Sequence, residues 1–243
     1  MEQIGLIGYG SMADMIARQL LKHEQIKENE LFIETRTKGE RLRALMSDYP
    51  NVSADPLENW ANTCQLILIC VPLRLLEAET EAGISRVIPA ITSEAEAGIS
   101  LVVHSEALAA EKKERLNELL SVFSRVREIK ESNLDVASNL TSSAPGFIAA
   151  IFEELALSAV RNSSLSKEEA FDFLIHSLYG TGKMLIEKNM SFEETLERVA
   201  TKGGITGEGA EVIHASVPDV FDEVFERTLK KYELLTEQVG KQT

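Results

Sequence analysis

Cysteine is nearly absent from this chain, with only Cys64 and Cys70 among 243 residues. Cys70 falls inside an apolar run where a thiol packs as a small hydrophobe, so a disulfide framework is excluded and a reducing, cytoplasmic setting is expected. Excess positive charge is also lacking. The formal net charge is −14, and phosphate binding along a nucleic acid needs clustered Lys and Arg, so nucleic acid is excluded as the main partner. The opening MEQIGLIGYG has no basic segment before its glycines and does not read as a signal peptide. No apolar run approaches the ~20 residues that span a bilayer, so no membrane partner is expected. Histidine is sparse and scattered, at His23, His104, His176 and His214. No His, Cys or carboxylate set stands at metal-ligand spacing, so no structural metal is expected. Solenoid-length repeats and low-complexity segments are absent as well.

What remains is an ordinary globular composition, 44% hydrophobic and 26% charged, patterned in two textures. Gln3 to Ile7 is a short apolar run ending at Gly8, and Met12 to Leu21 follows helical spacing. Leu31 to Thr35 reads as a second strand, and Arg41 to Met46 opens a second helix. Leu66 to Val71 is the clearest fully buried strand, ended by Pro72. Leu101–His104 and Val126–Ile129 are weaker strands flanking a helix from about Ala107 to Phe123. Strand–helix alternation of this kind signals a Rossmann-type, doubly wound parallel sheet. Beyond Glu131 only helical periods remain. Ser166–Glu169 and Ser191–Glu194 are capping boxes, for helices ending near Lys188 and Ala200. Gly203 and Gly204 break the chain, another helix follows Thr206, and Pro218 fits the first turn of a last one ending near Val239. The expected domains are 1–131, α/β, and 132–243, all-helical.

Gly8-Tyr9-Gly10-Ser11-Met12-Ala13 is G-x-G-x-x-A between a strand and a helix. The first Gly makes the tight turn, and the second admits a pyrophosphate against the backbone. Ala13 lets helix and strand pack closely, and the helix N-terminus offers N–H donors. A dinucleotide site is therefore expected. At the end of the second strand, Arg36 and Thr37, followed by Lys38, suit a 2′-phosphate, whereas Glu34 falls within the strand. That favours NADP and leaves NAD open.

The helical half carries a resemblance. Leu140 to Phe147 resembles the "SGSGPAY" turn of pyrroline-5-carboxylate reductases, and Thr201 to Thr206 resembles their "SPGGTT" loop. Tyr179 to Leu185 resembles "GAAKML", and Arg86-Val87-Ile88-Pro89 before Gly98 resembles "RVMPN…G". The blocks keep their order along almost the whole chain. The resemblance implies reduction of the C=N bond of 1-pyrroline-5-carboxylate to proline by NADPH or NADH, with Thr206 at the imine nitrogen. Gly203 and Gly204 would take the substrate carboxylate, with Ser142 and Ser143 beside it, and Val71 and Pro72 would face the cofactor. It also implies a homodimer formed through the helical domain. From residue type alone Thr206 reads equally as a helix N-cap, and Ser142 and Ser143 as caps for a helix starting near Pro145.

The sequence departs from that pattern at several points. No lysine accompanies Val71 and Pro72, Ala90 replaces an asparagine, Ser142 and Ala144 replace glycines, Phe147 replaces a tyrosine and Lys202 a proline. Between Pro72 and Arg86 the family fits a helix, a strand and another helix. Parallel strands need a crossover of about a dozen residues, so Leu73 to Ser85 cannot hold all three. Either the sheet has lost an element or the natural sequence is longer here. The wording of 201–209 and 86–92 resembles the ComER-type late-competence branch. A catalytically weakened or regulatory member is thus the alternative to an active reductase.

Overall fold

The computed structural model describes residues 2–70, 83–201 and 203–240. Contacts divide the chain into two compact units, 1–143 with 231–243, and 144–230. The first helices after Glu131 thus group with the sheets. The expected strip between Pro72 and Arg86, with Val71, Pro72 and Lys202, falls largely or wholly outside the described residues.

In the first unit β1 (Ile4–Ile7) is followed by α1 (Ser11–Lys22), β2 (Leu31–Glu34), α2 (Glu40–Asp48) and β3 (Leu66–Ile69). β1 lies between β2 and β3, all three parallel. This is the alternating pattern expected of the first half. Ile4 and Leu6 are fully buried in a core shared with Met15, Ile16 and Leu20 from α1, and Leu42 and Leu45 from α2. Trp60, the single tryptophan, is buried beneath β1 and stacks on Phe32 with ring centroids 6.1 Å apart.

A second sheet holds β4 (Ser85–Pro89), β5 (Gly98–His104) and β6 (Ser124–Glu128), with α3 (Ala110–Ser121) between the last two. β5 runs parallel to β6 and antiparallel to β4. Val102, Leu119 and Phe123 from this region join the same core. No ladder joins β3 to β4 among the described residues. The sequence reads β3 as fully buried, and here the structure differs. Its residues are half-buried and Ile69 is 46% exposed, and among the described residues β3 has a strand partner on one edge only. β4 carried no strand signal of its own, since its pattern is half polar and its identity depends on β5.

The second unit is helical: α5 (Ala144–Arg161), which follows α4 (Leu134–Leu140) of the first unit, then α6 (Lys167–Glu187) and α7 (Phe192–Val199). Both expected capping boxes are present. Glu169 N–H donates to Ser166 Oγ at 3.2 Å while Ser166 N–H donates to Glu169 Oε2 at 2.9 Å. The corresponding bonds at Ser191 and Glu194 are 3.0 and 2.7 Å. α8 (Ile205–Gly240) runs on from here into the residues grouped with the sheets. It corrects the expected break before Pro218, which sits inside one continuous helix. A proline there removes one i to i−4 hydrogen bond, but the rest of a 36-residue helix holds both flanks in register.

The helices of this unit bury few side chains. Ile148, Ile151, Leu155, Phe173, Ile175, Leu178 and Val212 are all exposed. The stretch Glu131–Arg161 is long and apolar enough, by length and composition alone, to cross a membrane. That corrects the expectation that no such run exists. A patch of this extent marks an interaction surface.

Both cysteines are free. Cys70 packs against the core, and burial pushes its thiol up from the ordinary 9.0 to about 11. The folded thiol therefore holds its proton after the unfolded one has lost it. The stability this group contributes is complete below about pH 9 and declines as pH rises toward 11. Urea titrations followed by Trp60 fluorescence should show a steeper loss of stability from pH 8.5 to 10.5 in the native sequence than in Cys70→Ala.

Candidate functional site

Three chain segments meet at the C-terminal end of the first sheet, where open α/β sheets bind ligands. β1 delivers Gly8 and β2 delivers Glu34, in register with Ile7. β3 delivers Cys70, whose N–H donates to Ile7 O at 2.7 Å. Val71 and Pro72, the next expected cofactor contacts, lie outside the described residues.

Gly8 turns the chain with φ +86°, a left-handed value that side chains resist. Its N–H donates to Glu34 O at 2.7 Å, fixing the turn to β2. Gly10 occupies the cap position of α1 in extended geometry, and no side chain caps the helix. The first backbone bond within the helix runs from Asp14 N–H to Gly10 O at 3.0 Å. The N–H groups of Ser11, Met12 and Ala13 therefore have no partner among the described residues. A Cβ on Gly10 would meet nothing within 4 Å. Open donors, a positive helix end and free space above glycine together fit a diphosphate. Ala13 is completely buried, which is the close helix–strand packing expected of the small residue. Met12 packs against the core and Ser11 is exposed.

Tyr9 lies between the two glycines. Its hydroxyl donates to Asp14 Oδ1 at 2.8 Å, and Arg18 Nε donates to both Asp14 oxygens at 3.1 and 3.2 Å. Arg18 Nη1 reaches Asp48 Oδ2 at 2.7 Å. Burial, then the bond to Asp14, pushes the Tyr9 hydroxyl far above its ordinary range, so it remains a donor. The reading from sequence missed Asp14 and Arg18, although their i, i+4 spacing is a signal for a pair.

After β2 the possible ribose-binding acid is already committed. Glu34 Oε2 accepts from Leu57 N–H at 2.9 Å. Lys38 Nζ donates to Ala54 O at 3.0 Å. Thr37 turns its carbonyl toward Gly39 N–H. Arg36 is exposed and has no partner among the described residues.

The residues expected around a substrate divide between the two units. Ser142 Oγ donates to Ser138 O at 3.1 Å, closing α4 rather than capping α5. Ser143 immediately precedes α5, and both serines are half-buried. In the other unit Gly203 adopts φ +70°. Gly204 O accepts from Gly207 N–H at 3.1 Å, so Gly204 leads into α8. Thr206 is the second residue of α8 and not its cap, correcting the cap reading. It is exposed, and its hydroxyl has no partner among the described residues. A concavity lined by Glu2, Gln65, Lys112 and Arg115 lies at the N-terminal ends of β1 and β3, away from the glycine turn.

Comparison with known proteins agrees with this geometry. The family described as "Pyrroline-5-carboxylate reductase dimerisation" matches residues 131–235, and "NADP oxidoreductase coenzyme F420-dependent" matches residues 3–86. The chain is 89% identical over 272 positions to pyrroline-5-carboxylate reductase 3 of Bacillus subtilis (strain 168), with all of both chains covered. That identity accounts for nearly every one of the 243 residues, so the two differ almost entirely by gap. Against ComE operon protein 4 of the same organism it is 28% identical over 270 positions, covering 99% of this chain and 98% of that one. The competence branch is thus the weaker likeness. A pyrroline carboxylate reductase of Plasmodium falciparum, solved with NADP bound, shares the fold. Its TM-score is 0.75 at 16% identity, covering 99% of this chain and 96% of that one. With a reductase relative 89% identical across the whole of both chains, this chain belongs to the pyrroline-5-carboxylate reductase family, oxidoreductases that act on a cyclic imine.

Proposed function

We propose that the chain reduces the C=N bond of 1-pyrroline-5-carboxylate to proline with NADPH, in the cytoplasm. The observation that carries this is the uncapped N-terminus of α1 beneath the open space at Gly10. The nicotinamide supplies the hydride when bound, and the protein supplies position and charge. The N–H groups of Ser11, Met12 and Ala13 receive the diphosphate. Arg36, with Thr37 beside it, receives the 2′-phosphate, since Glu34 is occupied by Leu57. NADH lacks that phosphate and is the poorer donor. Val71 and Pro72, which follow β3 in the sequence, are further candidate cofactor contacts.

The substrate carboxylate is an anion and takes backbone N–H groups of Gly203 and Gly204; Ser142 and Ser143 are further candidate substrate contacts. With hydride added at carbon, the C=N π pair moves to nitrogen, which takes its proton from water. The Thr206 hydroxyl, which has no partner among the described residues, hydrogen-bonds that nitrogen. Its place in the first turn of α8 keeps its orientation fixed. The substituted residues do not oppose this reading, because a reductase relative shares nearly every residue that this chain has and differs from it mainly by gap. The functional division stays near Glu131, with the cofactor residues before it and all the named substrate residues after it.

The exposed apolar side chains of α5 and α6 are covered, in this reading, by a second copy, bringing the Gly203 loop to the partner's cofactor domain. A dimer hides such a face more cheaply than solvent does.

Three measurements test these assignments. Thr206→Ala should lower kcat by about 10²-fold with the KM for NADPH unchanged, and Thr206→Ser should recover most of it; equal turnover of Thr206→Ala and the native protein removes Thr206 from the mechanism. Arg36→Gln should raise the KM for NADPH by about tenfold, as one charge-assisted hydrogen bond is lost, and leave that for NADH unaltered. Sedimentation at micromolar concentration should give a dimer for the native chain and a monomer for Ile151→Glu with Leu178→Glu.

A further inference from the structure

We infer that Tyr9, Asp14, Arg18 and Asp48 form a positioning clamp for the cofactor's diphosphate, locking the glycine turn in its binding shape and cancelling the charge beside it. The inference rests on the cofactor reading above and adds to it the device that makes the turn selective for order.

Tyr9 stands between Gly8 and Gly10, the two residues whose backbones have the most freedom to lose. A turn of this composition, left to itself, samples many shapes and would have to be ordered by each incoming cofactor. Tyr9 removes that cost in advance. Its ring packs against the core, and its hydroxyl reaches over the first turn of α1 to Asp14 Oδ1 at 2.8 Å. Gly8 N–H, bonded to Glu34 O, holds the other side of the turn. The turn is therefore held by the backbone of Gly8 and by the side chain of Tyr9, and the N–H groups behind it keep a common aim.

Asp14 has a second consequence. Four residues into α1, its carboxylate suits the helix dipole but lies on the same helix end that would receive a diphosphate. Unpaired, it would repel the ligand that the N–H groups attract. Arg18 meets both of its oxygens, at 3.1 and 3.2 Å. Arg18 is anchored in turn by Asp48 at the end of α2, at 2.7 Å. The bond to Asp48 is the main cause of the upward shift of the Arg18 guanidinium, which keeps it charged. One arginine thus ties the two helices that flank the cofactor edge and screens the acid between them.

Tethering and screening have separate signatures. Titration of NADPH by calorimetry, with steady-state kinetics and thermal midpoints alongside, reads both. Tyr9→Phe keeps the ring and loses the tether, and should weaken NADPH binding about five- to tenfold, the worth of one hydrogen bond, with kcat at saturating NADPH unchanged. Arg18→Met should weaken binding by a similar factor, and that loss should shrink as salt is added, because it comes from exposed repulsion. Adding Asp14→Asn to Arg18→Met should restore affinity, since the repelling charge is gone. A Tyr9→Phe variant that loses thermal stability but binds NADPH as the native protein does would overturn the clamp. So would an Arg18→Met variant not rescued by Asp14→Asn. A native protein that binds no NADPH overturns the cofactor reading and the clamp together, whereas normal native binding with silent variants overturns the clamp alone.

Discussion

The first turn of an α-helix leaves backbone N–H groups that no residue of the helix can satisfy, and a folded protein must give them a partner. In most helices a Ser, Thr, Asp or Asn side chain does this. At α1 the cap position is Gly10, which has no side chain, and the turn is left open. Around that vacancy the rest of the first unit is arranged. β1 is buried so that it ends firmly at Gly8, and Gly8 is pinned to β2. Ala13 brings α1 against the sheet, and Tyr9 holds the loop in place. In the proposed reading these donors meet the anionic diphosphate of the cofactor.

Charge placement around the edge follows from the same requirement. A chain with net charge −14 repels anions in general, so a dinucleotide must be met by local features. Acidic groups close to the edge are accordingly occupied elsewhere: Glu34 holds the backbone of Leu57, and Asp14 is held by Arg18. Arg36, exposed beyond β2, has no partner among the described residues. The second unit applies the same economy to apolar surface. Its helices bury little among themselves and carry a broad exposed face, in the residues matched by the dimerisation family.

The alternating first half and the helical second half were legible in the sequence because burial imposes its period on each element. β1, α1 and β2 and the two capping boxes are set by residues within a few positions of one another. Where pairing across distance decides, the sequence was less informative. Ser85 to Pro89 becomes a strand only because β5 lies beside it, and the apolar run at Leu66 is half-exposed, with no strand partner on one of its edges among the described residues. Pro218 reads as a helix start in isolation, yet both flanks continue the helix through it. At the site, Gly8, Gly10 and Ala13 were legible from local spacing alone. Thr206 needed the family resemblance, and the structure then removed its competing role as a cap. Asp14 and Arg18 escaped notice because an i, i+4 ion pair is usually only a solvated helix face.

The central claim is that the open N–H groups at the start of α1 receive the cofactor. Amide hydrogen exchange, resolved by residue and measured with and without saturating NADPH, tests it most directly. The account predicts marked slowing at Ser11, Met12 and Ala13, with little change along β5 and β6. Exchange at those three amides that stays equally fast with NADPH bound would contradict it.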